Sequence, residues 1–370
     1  MVKLFYRLIV ALSIFLGCSG CETPGNGVLH PGPPWRVFTT SNSGLRSNSI
    51  NKIRISSKQR VWCATLDGAA YFDHGSWGVV RDSLQDGGAP PLYLPSYAVR
   101  DIVEAKDGAI WYVLISRVAR YEEFSAAHVW MSYTYPYVYP TAVIAGAANR
   151  SNQTQYGDFW VAGINGISLF HQGENATGIW KSFWQSDGVT PIPSRDILSA
   201  ENKPDDYSTW FGTRSGGAVE AFYDENGILE WKALVPQRDP AISIFSIGFA
   251  DLKGGELTTV WFGRDTDVVA FNIVNGGWAT YSSGTTGGRM PHSTVNAIVT
   301  NYSRRRWFGT NNGLVRFEND TGWTIWTKAN SGLPNDTVTA LALDGFDNLW
   351  IGTPAGVAVY NPAGVDLNEY

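Results

Sequence analysis

The stretch Asp344-Gly345-Phe346-Asp347-Asn348-Leu349-Trp350-Ile351-Gly352-Thr353 ends in a phrase that the chain uses seven times. Its other occurrences begin at Val61-Trp62, Ile110-Trp111, Phe159-Trp160, Thr209-Trp210, Val260-Trp261 and Arg306-Trp307. The Trp-to-Trp spacings run 49, 49, 50, 51, 46 and 43 residues. A unit of this length fits one four-stranded propeller blade. Before each Trp lies an apolar-rich strand, such as Thr337-Val338-Thr339-Ala340-Leu341-Ala342-Leu343. After it come a turn and a third strand, such as Val357-Ala358-Val359-Tyr360. A second Trp (Trp77, Trp130, Trp180, Trp231, Trp278 and Trp323) then opens a fourth strand with interleaved polar residues, as expected of a half-exposed edge. The Gly in Trp-Phe-Gly-Thr leaves room where a neighbouring blade comes close.

The seventh unit has no fourth-strand Trp after Tyr360. The missing strand stands at the other end of the chain, as Trp35-Arg36-Val37-Phe38-Thr39. Seven second-strand and seven fourth-strand Trp then account for all of the 16 except Trp184 and Trp326. The expected fold is an all-β, seven-bladed β-propeller over residues 35–361, its ring closed by the N-terminal strand pairing into the last blade. Closure protects edges that an open ring would expose.

Composition agrees with a turn-rich all-β chain. Of 370 residues, 44% are hydrophobic, 14% aromatic and only 16% charged, with 40 Gly. The net charge of −5 offers no field for nucleic acid or an anionic membrane surface.

Residues 1–21 read as an export signal. Lys3 and Arg7 precede the apolar run Leu8–Leu16, too short for the roughly 20 residues that span a bilayer. The run ends at Gly17-Cys18-Ser19-Gly20-Cys21, which resembles a bacterial lipobox. Cys18 fits as the acylated residue better than Cys21, and a simple cleaved signal is the plainer alternative. Residues 22–34, rich in Gly and Pro, read as a tether, and 362–370 as a C-terminal tail. The expected location is the periplasm or cell surface, with the membrane reached only through a lipid anchor.

Several phrases resemble the two-component regulator propeller repeat: Ser331-Gly332-Leu333-Pro334-Asn335-Asp336-Thr337-Val338, Asp344 to Thr353, and Asn311-Asn312-Gly313-Leu314-Val315-Arg316-Phe317. The resemblance covers almost all of Trp35 to Asn361 and is strongest in the first, sixth and seventh units. It implies the propeller fold; such propellers often form the outer part of membrane sensors that carry a kinase. No kinase, membrane span or DNA-binding segment follows Asn361, so the reading is a solitary propeller.

Catalytic motifs are sparse. His30, His74, His128, His171 and His292 are scattered, without metal-ligand spacing, so no metal or cofactor is expected. Cys63 follows Trp62 in a buried strand, where a small apolar role suits it. A propeller enzyme such as the streptogramin B lyase uses a His with a metal-assisted acidic site, and no His/Glu pair here matches it. The best candidate site is the mouth of the central channel. Aligning the first strands places Asn51, Arg100, Thr141, Arg195, Phe245, Asn296 and Thr339 at one inward position. Such a ring could hold a small polar ligand, with Tyr93, Tyr97, Tyr135, Tyr137 and Trp184 nearby to stack on a glycan or peptide. Solvated Arg-Asp neighbours, Arg100-Asp101 and Arg195-Asp196, are the plainer account of the charged members. The leading expectation is a monomeric ligand-binding or protein-interaction module. A lyase or hydrolase, and a scaffold in an envelope complex, are the alternatives.

Overall fold

The computed structural model describes residues 33–80, 98–105, 108–115, 117–121, 130–134, 139–146, 159–172, 178–183, 192–204, 208–234, 241–253, 256–301 and 304–367. Every regular element among them is a strand. The export signal and nearly all of the tether lie outside these residues, as do Tyr93, Tyr97, Tyr135, Tyr137, Trp184, His30 and His128.

The strands form seven antiparallel four-stranded sheets. The chain begins with β1 (Trp35–Phe38), then builds blade 1 from β2 (Ile50–Ile55), β3 (Val61–Thr65), β4 (Gly68–Asp73) and β5 (Ser76–Val79). Blade 2 holds β6 (Asp101–Glu104), β7 (Ile110–Val113), β8 (Arg117–Tyr121) and β9 (Trp130–Thr134). Blade 3 holds β10 (Tyr139–Gly146), β11 (Phe159–Ile164), β12 (Gly166–Gln172) and β13 (Gly178–Phe183). Blade 4 holds β14 (Ile197–Asn202), β15 (Thr209–Thr213), β16 (Ala218–Tyr223) and β17 (Leu229–Leu234). Blade 5 holds β18 (Ser246–Lys253), β19 (Glu256–Gly263), β20 (Asp267–Asn272) and β21 (Trp278–Ser282). Blade 6 holds β22 (Val295–Thr300), β23 (Arg305–Thr310), β24 (Gly313–Glu318) and β25 (Gly322–Trp326). Blade 7 takes β26 (Ala340–Leu343), β27 (Leu349–Thr353) and β28 (Gly356–Tyr360), with β1 as its fourth strand. β1 pairs β28 in the register Trp35↔Tyr360 to Phe38↔Val357. The innermost strands of successive blades lie side by side, and β26 packs against β2.

Strand alternation explains the phrase. Neighbouring residues of a strand point to opposite faces, so each second-strand Trp faces one neighbouring blade and the next residue faces the other. The apolar clusters follow this rule: Trp160 packs with Phe211, Trp210 with Phe262, Trp261 with Phe308 and Trp307 with Ile351. Trp350 reaches across to Cys63 of blade 1. Both faces are covered, so β3, β15 and β27 are buried at every residue. Burial also raises the Cys63 thiol pKa, in keeping with a packing role. The core is therefore a set of wedges between blades.

The fourth-strand Trp occupy one register position, opposite the aromatic or apolar end of strand three: Phe72↔Trp77, Phe170↔Trp180, Phe317↔Trp323 and Tyr360↔Trp35. Residues after Asn361 add contacts that their sequence did not announce. Val365 and Leu367 are buried in the wedge between blades 7 and 1. The amides of Asn361 and Val365 donate to the carbonyls of Pro34 and Pro33.

Candidate functional site

Antiparallel connectivity puts the turns between second and third strands, and the links from one blade to the next, on one face. The channel opens there. Its walls are the first strands, three of which carry a β-bulge at the same point: between Ile50 and Lys52, Ile197 and Ser199, and Val295 and Ala297. A bulge leaves one residue unpaired and turns its side chain out of the ladder. The bulged residues are Asn51, Leu198 and Asn296.

Backbone bonds carry the equivalence into other blades. The amides of Val99, Ile244, Val295 and Val338 each donate to the end of the preceding blade's second strand or the turn after it, at Thr65, Thr213, Arg264 and Thr310. Arg100, Phe245 and Thr339 then share the position of Asn51. Arg195 does not. The registers Ile50↔Thr65 and Ile197↔Thr213 place Leu198 there, three residues later, and Arg195 is exposed in the preceding loop. Its neighbour Asp196 accepts instead from Arg214 Nε at 3.0 Å. Thr141 lies in the irregular part of β10, between Tyr139 and Val143.

The polar members of this ring hold blades together. Asn51 Nδ2 donates to Val99 O at 2.7 Å, Asn296 Nδ2 to Val338 O at 2.9 Å, and the Thr339 hydroxyl to Ile50 O at 2.6 Å. In blades 4 and 5 the following residue does this work: Ser199 Oγ donates to Ile244 O at 3.1 Å and Ser246 Oγ to Val295 O at 2.8 Å. All five acceptors are the same carbonyl of the next blade's first strand. Sequence reasoning grouped Asn51, Asn296 and Thr339 correctly but did not foresee these bonds.

A cavity of about 140 Å³ lies within the walls, lined by Asn51, Phe245, Asn296 and Thr339 together with Leu198, Lys52, Arg54 and Glu201. Its charged residues were missed in the sequence. Arg54 of blade 1 bonds Asp101 of blade 2 through Nε (3.3 Å) and Nη2 (3.2 Å), and Glu201 of blade 4 through Nη1 (3.3 Å). Asp101 is completely buried, so it is not the solvated neighbour of Arg100 that the sequence suggested. Burial opposes the Arg54 charge, but the Asp101 and Glu201 carboxylates outweigh it and raise the Arg54 pKa. Arg100 is half-buried, and its Nε has no hydrogen-bond partner among the described residues.

Lys52 is different. It is half-buried, lines the same cavity and makes no hydrogen bond or ion pair among the described residues. Burial, and then the Arg54 charge, lower its pKa below the ordinary 10.5, while Asp101 and Glu201 pull the other way. A half-buried ammonium group without a bonded partner among the described residues favours an incoming anion.

Among the described residues no group of three or more His, Cys, Asp or Glu is placed to hold a metal. His292 is exposed, and so is His74 at 83%.

Fold and walls together define a seven-bladed β-propeller with a polar central cavity. The profile of the Two component regulator propeller family matches residues 332–355, in support of the resemblance read from the sequence. In fold the chain is similar to the extracellular domain of a hybrid two component system of B. thetaiotaomicron, at 15% identity and TM-score 0.64, over 88% of this chain and 41% of that one. It is also similar to virginiamycin B lyase from Staphylococcus aureus (14%, TM-score 0.61, 88% of this chain and 98% of that one). A third similar structure is PorZ, a surface component of the type-IX secretion system of Porphyromonas gingivalis (18%, TM-score 0.60, 86% and 47%). The chain spans about two fifths of the length of the two component system structures it matches. No curated protein matches the sequence.

Proposed function

We propose that this propeller is an extracytoplasmic ligand-binding or interaction module, lipid-anchored through Cys18 (or Cys21), whose central cavity takes a small polar ligand with an anionic group. The observation that carries this reading is Lys52: a cation without a bonded partner among the described residues, in a cavity where Asn51, Arg54, Asn296 and Thr339 are engaged between blades. The ligand's anion pairs with the Lys52 ammonium. Arg54, tied to Asp101 and Glu201, fixes the cavity's shape. Leu198 and Phe245 offer an apolar wall on the side of blades 4 and 5. Export and anchoring rest on the apolar run before Cys18, and export also agrees with the extracellular domains to which the fold is similar.

Calorimetric titration with inorganic phosphate tests the cavity. The wild type binds, and Lys52→Met loses at least about tenfold in affinity, the share of one charge-assisted bond. Equal binding by the two proteins would refute the assignment.

A further inference from the structure

On the face opposite the channel mouth, the turns between first and second strands follow one plan in blades 1 and 7. The Asp344 amide donates to Asn348 O at 3.1 Å, as the Ser56 amide does to Arg60 O at 2.9 Å. Asp347 and Gln59 both have positive φ, 62° and 65°. Ser56 to Trp62 therefore matches Asp344 to Trp350 residue for residue, without a gap.

In blade 7 both carboxylate oxygens of Asp344 are engaged. Oδ1 accepts from the amides of Phe346 (2.8 Å) and Asn348 (2.9 Å), and Oδ2 from Asn348 Nδ2 (3.0 Å) and Trp350 Nε1 (2.7 Å). In blade 1 Ser56 Oγ accepts from the Arg60 amide at 3.1 Å, which is the Oδ1 role. Serine has no second oxygen, so the Oδ2 role is unfilled. Trp62, only 2% exposed, has a buried Nε1 with no hydrogen-bond partner among the described residues. A donor in that state is costly unless something accepts from it.

The space is there as well. A cavity of about 250 Å³ is lined by Ser56, Lys58, Arg60, Trp62, His74 and Gly108, along with Asp73 and Glu104. One water fills roughly 30 Å³, so a single water does not account for it. A Cβ built at Gly108 would meet nothing within 4 Å among the described residues. The two acids are already held: Asp73 by Arg60 Nη2 at 2.6 Å and Nε at 2.9 Å, and Glu104 by the Ser57 hydroxyl at 2.8 Å.

We infer that this cavity between blades 1 and 2 is a second site, binding a small carboxylate whose oxygen takes the place of Asp344 Oδ2 and accepts from Trp62 Nε1. Lys58 supplies positive charge at the rim, and the stem of the ligand lies in the open space beside Gly108. The repeat's own carboxylate is thus replaced by one brought from outside.

Indole ¹H–¹⁵N spectra of the whole protein, titrated with sodium acetate against sodium chloride at equal ionic strength, test this. Trp62→Phe and Trp350→Phe assign the two resonances. Acetate is expected to move the Trp62 indole proton downfield to saturation and to leave Trp350 unmoved. In Ser56→Asp the Trp62 resonance starts downfield, and acetate affinity falls at least about tenfold; Ser56→Asn gives the same result by placing an amide oxygen there. Lys52→Met leaves the acetate response intact, which separates this site from the central cavity. A silent Trp62 resonance in the wild type would mean that water alone fills the cavity. An equal acetate response in both Ser56 variants would mean that the anion binds elsewhere. Either result overturns the inference.

Discussion

The channel wall has two halves built differently. In blades 1, 6 and 7 the residue at the bulge position (Asn51, Asn296 and Thr339) turns its side chain to the next blade's carbonyl. In blades 4 and 5 that residue is apolar, and the serine after it makes the bond. The acceptor is common to all five junctions, whereas the donor moves by one residue. The carbonyl at the head of the next first strand is thus the fixed demand of the fold, because burial would leave it unsatisfied. Moving the donor frees the bulge position in blades 4 and 5 for Leu198 and Phe245, so at this one position the ring is apolar on that side and polar on the side of blades 1, 6 and 7. Asymmetry of this kind lets a ring of similar repeats distinguish the two ends of a ligand.

The largest expected effect concerns the 7-to-1 junction. Deleting residues 35–39 removes the outer strand of blade 7, with Phe38 from the wedge shared with blade 1 and Trp35 from the wedge with blade 6. Denaturant unfolding should show a loss of at least about 3–5 kcal/mol, as for a large buried aromatic side chain. Unchanged stability would mean that the junction holds without β1.

The second prediction separates the two halves. A Cβ at Gly212 would stand 2.5 Å from the Ile244 carbonyl oxygen, and one at Gly263 would stand 2.8 Å from that of Val295. At Gly352 its nearest neighbour would be the Ile50 Cγ2 methyl, 2.7 Å away. A backbone carbonyl that already accepts from a serine hydroxyl yields less than a methyl group. Gly212→Ala should therefore destabilise by about 3 kcal/mol and Gly352→Ala by about 1 kcal/mol, the two ends of the usual range for overpacking. Thermal unfolding of the two variants side by side decides it, and equal losses would show that the serine-built junctions are no tighter.

A smaller effect probes the shared acceptor. Ser199→Ala should lose about 1 kcal/mol. Adding Leu198→Asn should restore part of that loss, since Asn at the bulge rebuilds the blade 1 arrangement within blade 4. If the double variant is less stable than Ser199→Ala, the donor positions are not interchangeable.

Much of this was legible in the sequence. The Trp-bearing phrase announced the blades because burial of a strand on both faces demands a repeated apolar pattern, and the glycine after it marked the close approach of the next blade. The cavity was legible only in part. Asn51, Asn296 and Thr339 stand at the starts of apolar strands that align well. Aligning the first strands put Arg195 at the same position, but the register Ile197↔Thr213 and the bulge after it place Leu198 there, three residues later. The Arg54–Asp101–Glu201 group joins residues 47 and 147 positions apart, which no local pattern reveals. One signal was present: Lys52 and Arg54 alternate with buried Ile53 in β2, placing two cations on the channel side of a wedge-forming strand.

The weakest effect is one of pH. The lowered Lys52 pKa means that the folded state releases this proton before the unfolded chain does. The penalty for the buried charge is complete below the folded pKa and is relieved as pH rises from there toward 10.5. Relative to Lys52→Met, the wild type should gain stability across that alkaline window. Parallel pH profiles of the two proteins would contradict the lowered value.

Along one wall Asn296 joins the blades, and under the proposed function Lys52 meets the ligand. Measuring thermal stability and phosphate affinity together on Asn296→Ala and Lys52→Met tests this division of labour most directly. Asn296→Ala should lose about 1 kcal/mol of stability and bind phosphate as the wild type does, while Lys52→Met, relieved of the buried charge, is at least as stable as the wild type at neutral pH and loses binding. The reverse pattern, with binding lost in Asn296→Ala and kept in Lys52→Met, would contradict the account.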